Sequence, residues 1–190
     1  LMARAVGSFM FAAWLIPPRQ AGEDLNGAAL TVDGHIAART GAHASLGVAL
    51  IGLMMIPLVL SDVSGQPMST IMFSPDMWTV ALNQVADAQI WLVVAAFAGV
   101  VAIGGYTANG WWAQVALFIG SLIVIMPLAL SGHSATGGNH DYGTNSFIWH
   151  LVCMMLWVGG LMALIAHGRR MGQDLEDAVR RYSRIALFAL

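Results

Sequence analysis

Long apolar runs separated by short polar stretches organise this chain. A helix that crosses a bilayer needs about 20 mostly apolar residues. Leu1–Ile16, Ala37–Leu60, Val85–Ala108, Trp111–Leu130 and Phe147–Ala166 are runs of this kind, and a further one begins at Ile185. Pro17-Pro18 stops the first, because a proline lacks the N–H donor and restricts the residue before it. Only Asp87 and Gln89 interrupt the third, near its start. Backbone groups in hydrocarbon must be satisfied within the segment, so the runs are predicted to be helices. Barrel strands would alternate with period two over roughly ten residues, and these runs are longer and uniformly apolar. The expected fold is all-α: one polytopic transmembrane helix bundle over residues 1–190, of about five to six spans. Both ends fall inside apolar runs, so the chain reads as a piece of a longer protein.

Composition agrees. Of 190 residues, 58% are hydrophobic and 9% charged. A soluble domain carries about 25% charged residues, so this chain has too little polar surface to cover itself in water. The bilayer is its natural solvent. The net charge of −2 provides no basic field for nucleic acid. All eight basic residues are arginines, and their placement sets orientation. Arg169, Arg170, Arg180, Arg181 and Arg184 follow the fifth run, and Arg19 and Arg39 follow the first. The stretches Ser61–Met77 and Gly132–Asn145 hold none. By the positive-inside rule the arginine-bearing side is cytoplasmic and those two stretches face outward. Arg4 then falls toward the outside, against the rule. Gly172–Arg184 reads as a short helix on the cytoplasmic face, with Leu175, Val179 and Tyr182 on one stripe and Glu176–Arg180 and Asp177–Arg181 at i,i+4.

The fourth connection carries the most chemistry. It contains Gly132-His133-Ser134, then Asn139-His140-Asp141, and the next helix brings His150, Cys153 and Met154. His133 ends one span and His150 opens the next, so the two imidazoles are expected near each other at the outer surface. His150, Cys153, Met154 and Trp157 stand at i, i+3, i+4 and i+7, one face of a helix. Imidazole with thiolate or thioether suits copper, and sulfur favours Cu(I). Cys153 and Met154 are equally read as ordinary packing residues, and His133 and His150 as interfacial histidines. Met68, Met72 and Met77 lie in the other outward stretch, either as thioethers that gather Cu(I) or as an interfacial segment dipping into the bilayer. On the inner side His35, Arg39 and His43 share a stripe at i, i+4 and i+8: an exit site, a lipid-phosphate contact, or a positive anchor with incidental histidines. Asp87 lines a polar path or serves the helix start, and His167 marks the inner interface. Gly104-Gly105 and Gly159-Gly160 are read as close-packing positions. The chain has one cysteine and no Cys-x-x-Cys pair. No nucleophile elbow surrounds a serine, and no acid, base and nucleophile come together, so an enzyme is not expected.

The run Pro127 to Ser134 with its Gly-His pair, the series His150 with Trp157-Val158-Gly159-Gly160-Leu161, and Arg181-Tyr182-Ser183-Arg184-Ile185-Ala186 resemble the bacterial copper resistance protein D family. The resemblance covers mainly Trp111–Leu190. It implies a copper-handling protein of the bacterial inner (plasma) membrane, whose domain in some bacteria resembles the front half of a chain ending in a cytochrome oxidase assembly module. His133 and His150 are the positions carried over from the family pattern. His140 and Met154 are expected to assist, with Cys153, Asp141, Met68 and Met72 auxiliary, and His35 and His43 as inner-side candidates. Expected partners are the lipid bilayer, a periplasmic copper-binding protein and oxidase assembly factors. Two rival readings remain: a b-type haem protein, since histidines on neighbouring helices also ligate haem, and a non-catalytic scaffold subunit for oxidase biogenesis.

Overall fold

The structure, a computed structural model, describes residues 1–16, 30–130 and 140–189. Helix α1 (Met2–Met10) continues into one π-helical turn, Phe11–Leu15, closed by the Ile16 amide donating to the Phe11 carbonyl at 3.1 Å. Ile16 is extended, φ −95° and ψ 124°, as the residue before Pro17 must be. Helix α2 (Val32–Ser64) starts where the Thr31 hydroxyl accepts from the Gly34 amide at 3.1 Å, and ends at Gly65 with φ 67°. That left-handed conformation suits glycine at a helix end.

Helices α3 (Met68–Met72) and α4 (Pro75–Gln84) are short, and α5 (Ala86–Thr107) is long. The next span is broken into α6 (Trp111–Ile123) and α7 (Met126–Leu130). Pro127 explains the break: its missing N–H and its ring exclude a normal bond to residue 123. Helix α8 covers His140–His167. Two 3-10 turns, Gly168–Arg170 and Gly172–Asp174, lead to α9 (Leu175–Ala189).

The fold class is as expected: an all-α bundle with four helices long and apolar enough to cross a membrane. They are Val32–Ser64, Ala86–Thr107, Trp111–Ala129 and Asn145–Arg170. The first apolar run forms a helix over Met2–Leu15 only. At 1.5 Å per residue it is roughly 21 Å long, short of the bilayer's hydrocarbon thickness of about 30 Å. The outward stretch Ser61–Met77, expected as a connection, is mostly helical. Its short helices fold back so that Ile71 and Ala81 pack with Ile56, Leu60 and Ala88 in a second apolar cluster. The Trp78 indole donates to the Met72 carbonyl at 3.2 Å and ties α3 to α4.

The segment Gly172–Arg184 also differs from expectation. Helix α9 runs on from it through Ile185 without a break. Its buried face is Ala178 and Tyr182, while Leu175 and Val179 are exposed. Glu176–Arg180 pairs at 3.2 Å, but Arg181 donates instead to the Trp14 carbonyl at 3.3 Å.

Helix α1 is the centre of the bundle. It packs against α2, α6 and α8, and Val6, Phe9, Met10, Phe11 and Leu15 are fully buried. Lipid tails are as apolar as leucine, so helices associate here through close packing rather than water exclusion. Small residues make that packing possible. A Cβ at Gly7 would fall on the Gly159 backbone, and one at Gly159 on the Ala3 carbonyl. A Cβ at Gly41 would stand 2.9 Å from the Phe9 ring, and one at Gly105 2.9 Å from Ala42. The glycine pairs read as packing positions therefore have that role. Helix α9 is anchored to α8 by the Tyr182 hydroxyl, which donates to the Trp157 carbonyl at 2.7 Å. Tyr182→Phe is expected to lower stability by about 1 kcal/mol, measured as a lower unfolding midpoint in detergent. An unchanged midpoint would mean that α9 is held by apolar contact alone.

Candidate metal site at the α7–α8 end

Two helices deliver the residues of the candidate site. Helix α7 packs on α8, so the span that leads to residue 133 and the helix that carries residue 150 are neighbours, as their short connection requires. His133 itself lies outside the described residues, as do the side chains of His140 and Asp141. His150 is exposed on α8, Cys153 is partly covered, and Met154 and Trp157 are 38% and 42% exposed. Their i, i+3, i+4 and i+7 spacing in one unbroken helix puts them along a single open stripe.

Helix α8 begins at His140, seven residues earlier than its apolar run. This changes the arithmetic of the site. His140 and His150 sit ten positions apart on one helix, a rise of about 15 Å. A zinc- or copper-sized ion bonds imidazole nitrogen at roughly 2 Å, so one ion cannot bridge that distance on one helix. His150 is within reach of Met154 and Cys153, one turn away. His140 therefore cannot join His150 on one ion through α8 alone. Among the described residues no three His, Cys, Asp or Glu side chains converge as a ready-made metal site.

The methionine stretch has another character. Met68 and Met77 are partly covered, Met77 within the α2–α4 apolar cluster, and Met72 is 36% exposed on α3. Packing accounts for Met77, while Met68 and Met72 belong to one short helix. Asp87 is exposed in the first turn of α5, where its charge suits the positive end of the helix dipole.

His35, Arg39 and His43, the expected inner-side candidates, all lie on the exposed face of α2. The His43 Nδ1 is 2.6 Å from the Arg39 carbonyl, and its ring meets Tyr106 edge-on at 5.3 Å. The Arg39 guanidinium stands over the same Tyr106 ring at 5.6 Å. Arg4 lines a hollow with Leu1, Thr40 and His43. Tyr106, which gathers this cluster, was not singled out from the sequence; its signal was a lone tyrosine at the end of an apolar run. His167 is buried within the bundle. It is 5% exposed, its ring is 5.1 Å from Phe11, and its Nε2 has no hydrogen-bond partner.

Comparison with known proteins adds an independent line. Over 164 residues, 80% of this chain, the sequence is 27% identical to the copper transport protein CutJ of Bacillus subtilis (strain 168). Those residues are 29% of that relative's length, so this chain spans under a third of the curated relative it matches. No solved structure matches. The family described as copper resistance protein D-like, N-terminal domain, matches residues 1–141. The motifs that carried the resemblance lay mainly after Trp111, whereas this match takes in the N-terminal helices and His133 but not His150. On a match over most of its length, the chain belongs to the copper resistance protein D-like family.

Proposed function

We propose that this chain forms part of a multi-pass protein of the bacterial inner membrane that takes copper as its substrate. The ion is captured at the outward end of α7 and α8. His133 and His150 are the primary ligands, with Met154 and Cys153 supplying sulfur from the same stripe of α8. The observation that carries this reading is the open His150–Cys153–Met154 face on a helix packed against α7, in a chain of this family. Sulfur beside imidazole favours the cuprous ion. The stretches without arginine face outward, and the arginines near α8 and α9 hold the other side in the cytoplasm. A periplasmic copper-binding protein would deliver or accept the ion, and further segments of a longer chain, including an oxidase assembly module, would lie beyond this one.

The test is the metal and haem content of the detergent-purified protein after copper loading, wild type beside His133→Ala/His150→Ala. About one equivalent of copper in the wild type, lost in the variant, is expected. Equal copper in both would sink the site. A haem absorption band without copper would transfer the histidines to a b-type haem, and neither metal nor haem would favour a scaffold role.

A further inference from the structure

A groove of about 540 Å³ opens between the π-helical end of α1, α6, α8 and α9. Its size is within the roughly 300–1,000 Å³ range of small-molecule sites. Trp14, Phe118, Leu122, Leu156 and Ile185 make its walls almost wholly apolar. Arg181 and Arg184 also line it. They differ from their neighbour Arg180, which is neutralised by Glu176 at 3.2 Å. Among the described residues, neither Arg181 nor Arg184 has an acidic partner. The Arg181 guanidinium spends one donor on the Trp14 carbonyl at 3.3 Å, which holds it beside the groove. A guanidinium has five donors. Two exposed guanidiniums at the rim of an apolar groove leave donors that an anion lodged in the groove would take up.

We propose that this groove binds an anionic phospholipid. One acyl chain lies along Phe118, Leu122 and Leu156, and the headgroup phosphate is held by Arg181 and Arg184. Charge complementarity selects this occupant. A second apolar helix would cover the walls and leave both charges unmatched, whereas an anionic lipid satisfies walls and charges together. A zwitterionic lipid carries its own ammonium and gains less. Exposed Trp14 at the end of its helix, beside Arg181, fits the aromatic belt at the level of the headgroups. Basic pockets between membrane helices on the cytoplasmic side commonly hold anionic headgroups. This inference does not depend on copper.

The experiment is native mass spectrometry of the full-length protein from mild detergent, offered phosphatidylglycerol and phosphatidylcholine in equal amounts. Retention of one phosphatidylglycerol is expected, with a preference on the order of thirtyfold from two arginine contacts. Arg181→Gln/Arg184→Gln should reduce the preference to about threefold or less, while Arg180→Gln leaves it intact. Should the glutamine variant not fold, Arg181→Lys/Arg184→Lys keeps the charge and should keep most of the preference. Equal retention of both lipids, or a preference that survives the glutamine variant, overturns the proposal. So does displacement by millimolar inorganic phosphate, which would indicate a free-anion site. A lipid-free dimer mass would place a second copy in the groove instead, and lipid-free monomer would place another segment of the same chain there.

Discussion

Gly7→Val is expected to abolish recovery of folded protein, the largest effect of any single substitution described. The Cβ it adds would land on the Gly159 carbonyl. Backbone cannot swing aside as a flexible side chain can, so α1 and α8 would have to separate along their whole contact. Overpacking in a well-packed interior costs about 1–3 kcal/mol and occasionally more, and a collision with backbone belongs at or above the upper end. Gly159→Val should behave alike, because its Cβ would meet the Ala3 carbonyl. Gly99 provides the contrast. It lies inside α5 with nothing within 4 Å of the added Cβ, so Gly99→Ala should be neutral or stabilising by up to about 1 kcal/mol. The measurement is the monodisperse fraction on size-exclusion chromatography in detergent. Normal recovery of Gly7→Val would show that α1 and α8 do not meet as described.

Phe9→Ala is expected to cost about 2 kcal/mol, and Gly41→Ala should reveal why. In a bilayer the transfer term for a buried ring is small, because lipid is as apolar as the protein interior. What remains is the cavity, at roughly 24 cal/mol per Å³ of space that does not collapse. Phe9 is fully buried between α2 and α5, where neighbouring helices cannot close easily. A Cβ at Gly41 meets three atoms of the Phe9 ring, the nearest at 2.9 Å, and nothing else among its nearest contacts. Gly41→Ala should therefore destabilise the wild type yet be neutral or favourable beside Phe9→Ala. The double-mutant cycle reads this coupling directly from unfolding midpoints, with a term of about 1 kcal/mol or more expected between contacting residues. Additive effects would mean that the ring does not seat on Gly41.

The spans were legible because about 20 apolar residues in a row have few other uses, and Val85–Ala108 and Trp111–Leu130 matched their helices to within a residue or two. Boundaries at the polar ends were not. Helix α2 begins five residues before its apolar run and α8 seven before its own, since helical hydrogen bonding continues outside hydrocarbon where hydropathy no longer reports it. The arginine-rich stretch before Ile185 reads as amphipathic surface helix by charge alone; only Tyr182 reaching Trp157 shows that it docks along α8. The geometry of the candidate site was legible in part. The His150, Cys153 and Met154 stripe follows from spacing on one helix. That His140 shares that helix, and so stands about 15 Å from His150, depends on where α8 starts. The cluster around Tyr106 was half legible: His35, Arg39 and His43 follow from a fourfold spacing, but Arg4 and Tyr106 join them through the pairing of three helices, which no single segment encodes.

The approach of Gly7 to Gly159 also bears on how the molecule is made. The two glycines are about 150 positions apart. During synthesis α1 enters the bilayer well before α8, one of its principal neighbours. Until then its small-residue face stands open to lipid or to a passing helix of another protein, and the bundle can close only late. The family match ends at residue 141, two residues into α8. The segment that the family match covers is therefore not the one that completes the packing of α1: a chain terminated there would carry that helix with one side unmatched, a target for quality-control proteolysis.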